Sequence, residues 1–199
     1  TYAVSGKLDN ALDFDGSDDH VTTSHVPLLN NFTFGMWIQP DALGARDEWA
    51  STSDGTSVSG WYWHSNWDTN DVNKIGMELS SGAWTNCDGV AISSVALNEW
   101  HYVLFSKSSE SGIRMYYDGS LVGNCSSATA DVIDEQSTLY IGRGFPDAQA
   151  RYFDGAIDEV AVWNRTLSVG EVEYIYNMQK GAYAFNGTYT SRILDSESL

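Results

Sequence analysis

The chain has 199 residues, 42% of them hydrophobic, with 27 acidic against 10 basic side chains and a formal charge of -17. With 18 Gly, 3 Pro, 8 Trp and 11 Tyr, it reads as many short turns joining aromatic-rich strands in one large all-β domain, with or without a tail. The charge argues against nucleic acid as a partner, since phosphate binding needs clustered Lys and Arg, and no apolar run reaches the ~18 residues that cross a bilayer. So acidic a surface draws cations and fits a high-salt habitat, ordinary acidic solubility being the simpler alternative.

Strand patterns recur from the start of the chain. Residues 11–14 (ALDF) and 20–23 (HVTT) flank an acidic turn, DGSDD. FTFGMWIQ (32–39) alternates Phe32, Phe34, Met36 and Ile38 with Thr33, Gly35, Trp37 and Gln39, which is the period of a strand. GWYWHS (60–65) sets Trp61 and Trp63 on one face and Tyr62 and His64 on the other, so one pair belongs to the core. KIGMEL (74–79) turns Ile75, Met77 and Leu79 inward. WHYVLFSK (100–107), apolar on both faces, reads as a central strand. IRMYYDGSLVG (113–123) is a hairpin about Asp118-Gly119, a two-residue turn signal between apolar runs. TLYIGR (138–143) and YFDGAIDEVAVW (152–163) are further strands, and no βαβ alternation calls for a parallel sheet.

One helix is predicted after these strands. Ser168 stands three residues before Glu171, the spacing of a capping box, and Val172, Ile175 and Tyr176 then share a face. Residues 182–185 read as a last strand closing a domain over 1–185, and 186–199 as a linker or the start of a further domain. The chain opens at Thr1 without initiator Met or signal peptide, as a mature product or a piece of a longer polypeptide does. Cys87 and Cys125 are its only cysteines, both near turn signals at the ends of strand candidates. A disulfide and two free thiols are both open. The sequons at Asn31, Asn124, Asn164 and Asn186 lean toward the oxidising, extracellular case.

Taken in order, ALDFDGSDDHV, FTFGMWIQP, NEWHYVLFS, MYYDGSLVG and LYIGR…YFDGAIDEVAVWNRTLSVGEVEYIY resemble the laminin-G-like domains of the concanavalin A-like lectin/glucanase group, over about residues 5 to 180. The resemblance implies a jelly-roll β-sandwich of two antiparallel sheets. It commonly implies a structural calcium site and a role in binding glycans or proteins outside the cell. It does not name a ligand, because fold and function separate easily.

The acids of IDEV raise a question, since an unpaired buried carboxylate is costly. In a jelly roll the first and last strands tend to lie side by side, which would bring the turn at 14–19 next to GAIDEV (155–160). Calcium takes six to eight oxygens from carboxylates and carbonyls, and such a pairing offers a cage. The resemblance carries over Asp15 and Asp158 as ligands, and Asp18 and Asp19 extend the set from their position in the same turn. The alternative is that Asp158 faces solvent or caps a turn. Glu159 points to the other face. A second acidic cluster, WDTNDVN (67–73), lacks the Gly and trailing Glu of an EF-hand loop and reads as solvated.

Trp37, Trp100 and Trp163 sit in strand motifs and read as packing. Trp49, Trp67 and Trp84 lie in segments rich in Ser, Asp, Asn and Gly, where exposed rings mark recognition. With Tyr62, His64 and Arg143 they make a candidate glycan surface of loops; the alternative is that the tryptophans fold back as lids. Glucanase-type relatives carry E-x-D-x-x-E or E-x-D-x-E on a strand, and no such motif occurs, nor G-x-S-x-G or H-E-x-x-H. The expected protein is therefore a non-catalytic, calcium-bound module at the cell surface or outside the cell, contacting an extracellular glycan or surface glycoprotein. A protein-interaction domain without a sugar site is the rival, and a polysaccharide-degrading enzyme ranks third.

Overall fold

The computed structural model describes residues 2–23, 30–43, 47–52, 60–65, 74–80, 84–91, 95–132, 138–144 and 151–181. The strands are β1 (Tyr2–Ser5), β2 (Asn10–Asp15), β3 (Val21–Thr22), β4 (Phe32–Pro40), β5 (Glu48–Ser51), β6 (Trp61–Ser65) and β7 (Lys74–Ser80). They continue with β8 (Trp84–Ala91), β9 (His101–Ser108), β10 (Gly112–Tyr117), β11 (Ser120–Cys125), β12 (Tyr140–Ile141) and β13 (Asp154–Trp163), followed by helix α1 (Val169–Lys180). Two antiparallel sheets result, one in the order β1-β2-β13-β4-β9-β10-β11 and the other β3-β12-β5-β6-β7-β8. This is the expected jelly-roll sandwich.

The period-two residues fill the space between the sheets. Phe32, Phe34, Met36 and Ile38 of β4 and Val103 and Phe105 of β9 meet Trp61 and Trp63 of β6 and Ile75, Met77 and Leu79 of β7. The rings pack edge-on or tilted, as between Trp61 and Phe105 at 5.0 Å. Asp118 and Gly119 both take positive φ (48 and 77), the two-residue turn that matches strand twist.

The other face of β4, β9 and β10 lies under the helix. Trp37, Tyr102, Leu104 and Tyr116 pack against Leu167 and Val172, with Trp100, Trp163, Ile175 and Tyr176 around them. The Ser168 side chain accepts the Glu171 backbone N–H, and Glu171 returns a bond to the Ser168 backbone, so the capping box closes. The Trp37 indole donates to Gln179 Oε1 at 2.7 Å, which fixes the far end of the helix.

Cys87 and Cys125 form a disulfide. It joins β8 to β11, the edge strand of one sheet to the edge strand of the other. Closing that loop stabilises by roughly 4 kcal/mol in the chain-entropy model. The expected strand over 182–185 and the segment 186–199 lie outside the described residues.

Candidate functional site

β2, which carries the ALDF segment, and the last strand, β13, are neighbours as expected, but their register places a different acid beside the turn. Asp15 pairs with Asp154, not Asp158. Four residues further along β13, about 13 Å away by strand rise, Asp158 does another job. Its Oδ2 accepts the Leu8 N–H at 2.9 Å and its Oδ1 the Glu159 N–H at 2.8 Å. It is 8% exposed, and a Cβ at Gly6 would stand 2.5 Å from Oδ2. Asp158 thus ties down the β1–β2 turn, which corrects its reading as a calcium ligand. The bulge in β13 between Asp158 and Ala161, with Glu159 at φ 50, turns Glu159 out to solvent.

The rest of the acidic set converges. Carboxylate oxygens of Asp15, Asp18 and Asp19 lie within 4.8 Å of one another. Asp15 Oδ1 also accepts the Ser17 N–H at 2.9 Å, and His20 Nδ1 lies 2.9 Å from the Asp18 carbonyl. Gly16, at φ 70, lets the turn press on Asp154, whose Cβ would stand 2.9 Å from a Cβ there. Burial, then repulsion from Asp41, Asp13 and Asp15, raises the Asp154 pKa. Burial, then Asp41 and Asp19, raises that of Asp13. An all-oxygen donor set of Asp15, Asp18 and Asp19, with Asp13 and Asp154 close by, suits a hard divalent cation.

A second feature crosses the six-stranded sheet. Register aligns Val21, Ile141, Ala50, Trp63, Met77 and Cys87 in a row that faces the core. The adjacent row faces outward and is polar: Thr22, Tyr140, Ser51, Tyr62 and Glu78, with the register running on to the β8 backbone. Six strands make it about 24 Å long. Glu48 pairs with His64 in a further outward position. Glu48, Ser51, Tyr62, His64 and Glu78 are all buried. Burial and a hydrogen bond to Glu78 push the Tyr62 hydroxyl far above its ordinary range. Arg151 Nη1 donates to Glu48 Oε1 at 2.5 Å, with both side chains out of water. Gly144 lies so close to the Glu48 carboxylate that any side chain there would displace it.

The row opens to solvent at its β12 end. Tyr140, Tyr152, His20 and Arg143 are partly exposed. The Arg143 guanidinium lies 5.4 Å over the Tyr140 ring and 5.1 Å over that of Tyr152. Its Nε donates to the Gly144 carbonyl at 3.1 Å. His20 lies 6.3 Å from Tyr140 and 6.4 Å from Tyr152, which links this cluster to Asp18 two residues away.

The candidate ligand residues therefore divide. Tyr62 and His64 share the outward face, and Arg143 stands at its open end. Trp49 is a correction: it is fully buried among Trp63 and Phe153. A register shift between Glu48 and Ala50 inserts it as the extra residue of a bulge, so both Trp49 and Ala50 face the core despite their polar surroundings. Trp84 begins β8, and its side chain lies outside the described residues, as do Trp67 and the whole 67–73 cluster. Glu48, Glu78, Tyr140, Arg151 and Tyr152 went unpredicted. Glu48 and Glu78, single acids inside otherwise apolar strands, are the signal that could have found them.

A family model described as the concanavalin A-like lectin/glucanases superfamily matches residues 15–173. Among curated proteins the chain is 29% identical over 86 residues to human adhesion G-protein coupled receptor D1, a stretch covering 43% of this chain and 10% of the receptor. Among solved structures it is similar to domain 4 of AbnA, a GH43 extracellular arabinanase from Geobacillus stearothermophilus, solved in complex with arabinotriose. That match has a TM-score of 0.70 at 17% identity and covers 87% of this chain and 80% of that one. It is also similar to the CBM40 of the Ruminococcus gnavus IT-sialidase, bound to α2,3-sialyllactose. There the TM-score is 0.64 at 14% identity, covering 83% of this chain and 96% of that one.

Proposed function

The chain belongs to the concanavalin A-like lectin/glucanases superfamily, and from that premise we propose that it is a non-catalytic, carbohydrate-binding recognition or adhesion module of an extracellular or surface protein. The observation that carries the reading is the part-exposed cluster of Tyr140, Tyr152, His20 and Arg143 at the β12 end of the six-stranded sheet's outer face. Sugar rings stack on aromatic faces, while their hydroxyls bond to carboxylate, guanidinium and hydroxyl groups held in fixed positions. Two similar structures were solved with sugars bound, arabinotriose and α2,3-sialyllactose, which supports the same use here. The disulfide suits an oxidising compartment.

Calcium belongs to this proposal as a stabilising ion held by Asp15, Asp18 and Asp19. Anything that binds the folded state alone raises its melting temperature. A rise with calcium that is reversed by chelator and lost in Asp18→Asn supports the site; identical melting in both conditions removes it. The function is tested by probing a broad glycan array with the purified domain, with calcium and then with chelator. Binding to a glycan class supports the module reading. A blank array from well-folded protein overturns it in favour of a protein-interaction domain, a reading favoured by the exposed Tyr174 and Met178 on the helix.

A further inference from the structure

Three of the four sequons fall on described residues, and the seven-stranded sheet gathers them at one end. Asn31 stands just before β4, Asn164 just after β13, and Asn124 near the end of β11. Register sets Trp163 opposite Thr33, Phe32 opposite Lys107, Gly112 opposite Ser108 and Asn124 opposite Arg114. All three asparagines therefore lie toward the rim where β4 begins and β13 ends, and all three are exposed. The turn carrying Asp15 meets Asp154 at the other end of β13. Backbone bonds tie Phe153 to Gly142 and to Gly16, so the Arg143 cluster belongs to that end as well. β13 has 10 residues, which puts the two rims about 30 Å apart.

The asparagines differ from the hydroxyls that complete their sequons. Thr33 is fully buried, donating to the Arg165 carbonyl at 2.9 Å and accepting the Leu167 N–H at 3.0 Å. Thr166 donates to the Lys107 carbonyl at 3.0 Å. The fold accounts for these two threonines. It does not account for the asparagines. Among the described residues, the Asn124 and Asn164 carboxamides make no hydrogen bond. Asn31 uses only its Oδ1, which accepts the Ser109 N–H at 3.2 Å. A sugar on Nδ2 leaves that acceptor in place. Val162 and Val169, on either side of Asn164 in sequence, are exposed apolar side chains that a solubilising sugar would lie beside.

We propose that Asn31, Asn124 and Asn164 carry N-linked glycans, which sheathe this rim and leave the Asp15 and Arg143 rim open. The donor is a lipid-linked oligosaccharide phosphate. Asparagine Nδ2 forms a bond to C1 of its first sugar, the C1–O bond to phosphate breaks, and the phosphate leaves with the electron pair. The transferase takes the amide proton, and nothing is oxidised or reduced. Because the folded domain seals the Thr33 hydroxyl, transfer to Asn31 precedes folding. The inference rests on the extracellular part of the reading above and not on its sugar ligand.

The test is glycopeptide mass spectrometry on the protein purified from its native source. Glycan on Asn164 and on at least one of Asn31 and Asn124 is the expected result, and anything less overturns the inference. In the same cells, Asn164→Gln should lose one glycan from the intact mass, while Thr166→Ser, which keeps the sequon hydroxyl, should retain it. A mass increment that survives in Asn164→Gln would overturn the assignment of that site. Bare asparagines in a protein that still binds the glycan array would sink this inference and leave the carbohydrate reading standing. A blank array from glycosylated, folded protein would do the reverse.

Discussion

The outer faces of the two sheets are both largely hidden from water, and they are built from opposite materials. The seven-stranded sheet presents Trp37, Tyr102, Leu104 and Tyr116, which the amphipathic helix covers. The six-stranded sheet presents Ser51, Tyr62, Glu78, Glu48 and His64. Apolar burial of the first kind contributes about 25 cal/mol per Å². Burial of the second kind removes ions and dipoles from water, and even a good ion pair returns little beyond that cost. One face is sealed with hydrocarbon, and the other keeps charges whose burial adds little stability.

The largest effects should separate the two faces most cleanly. Trp37→Ala removes a ring stacked on Tyr176 at 5.8 Å and the bond to Gln179. It should cost about 3–5 kcal/mol in denaturant titration and leave glycan affinity unchanged. Glu48→Ala takes a carboxylate partner from a buried guanidinium and should cost a similar 3–5 kcal/mol. Replacing both partners, Glu48→Gln with Arg151→Met, should cost little or even stabilise, yet weaken glycan binding. If the double replacement is as destabilising as the single one, the polar face is structural and the contrast collapses.

Smaller effects sharpen the comparison. Ser168→Ala should cost about 1 kcal/mol through the lost helix cap, read as a lower denaturation midpoint with unchanged binding. The hydrogen bond from Arg165, with bonds from Ser168, holds the Glu171 carboxyl down at about 2. A lowered carboxylate pKa stabilises fully above its ordinary value near 4.5 and loses that contribution as pH falls toward 2. Because the pair is exposed, the loss should be slight, and Glu171→Gln should remove that part of the acid sensitivity. Asp154 has the opposite sign. Its raised pKa means that folding loses stability as pH rises through it. Asp154→Asn should therefore raise the melting temperature slightly at neutral pH and shrink any response to calcium. Unfolding in molar salt checks the high-salt habitat: insensitivity would dismiss it.

Much of the scaffold was legible because it depends on local chemistry. Period-two runs marked β4, β6 and β7, a run apolar on both faces marked β9, Asp118-Gly119 marked its turn, and Ser168 with Glu171 marked the helix start. Even the neighbouring of β2 and β13 followed from the jelly roll. The site was less legible because it depends on register. A four-residue offset decides whether Asp15 faces Asp154 or Asp158, and nothing local sets that offset. One extra residue at a bulge sends Trp49 into the core from a segment whose composition reads as loop. The outward row is likewise a property of five pairings made at once. None of its members is unusual alone.

The disulfide has a mechanical consequence. It encloses a separation of 38 residues that contains all of β9 and β10, and most of β11. If the domain is pulled from its two ends, as a tether at a surface would be, that stretch cannot pay out. The extended chain comes up short by about 130 Å, and the β9–β10–β11 side of the seven-stranded sheet stays off the line of force until the sulfur bond is cut.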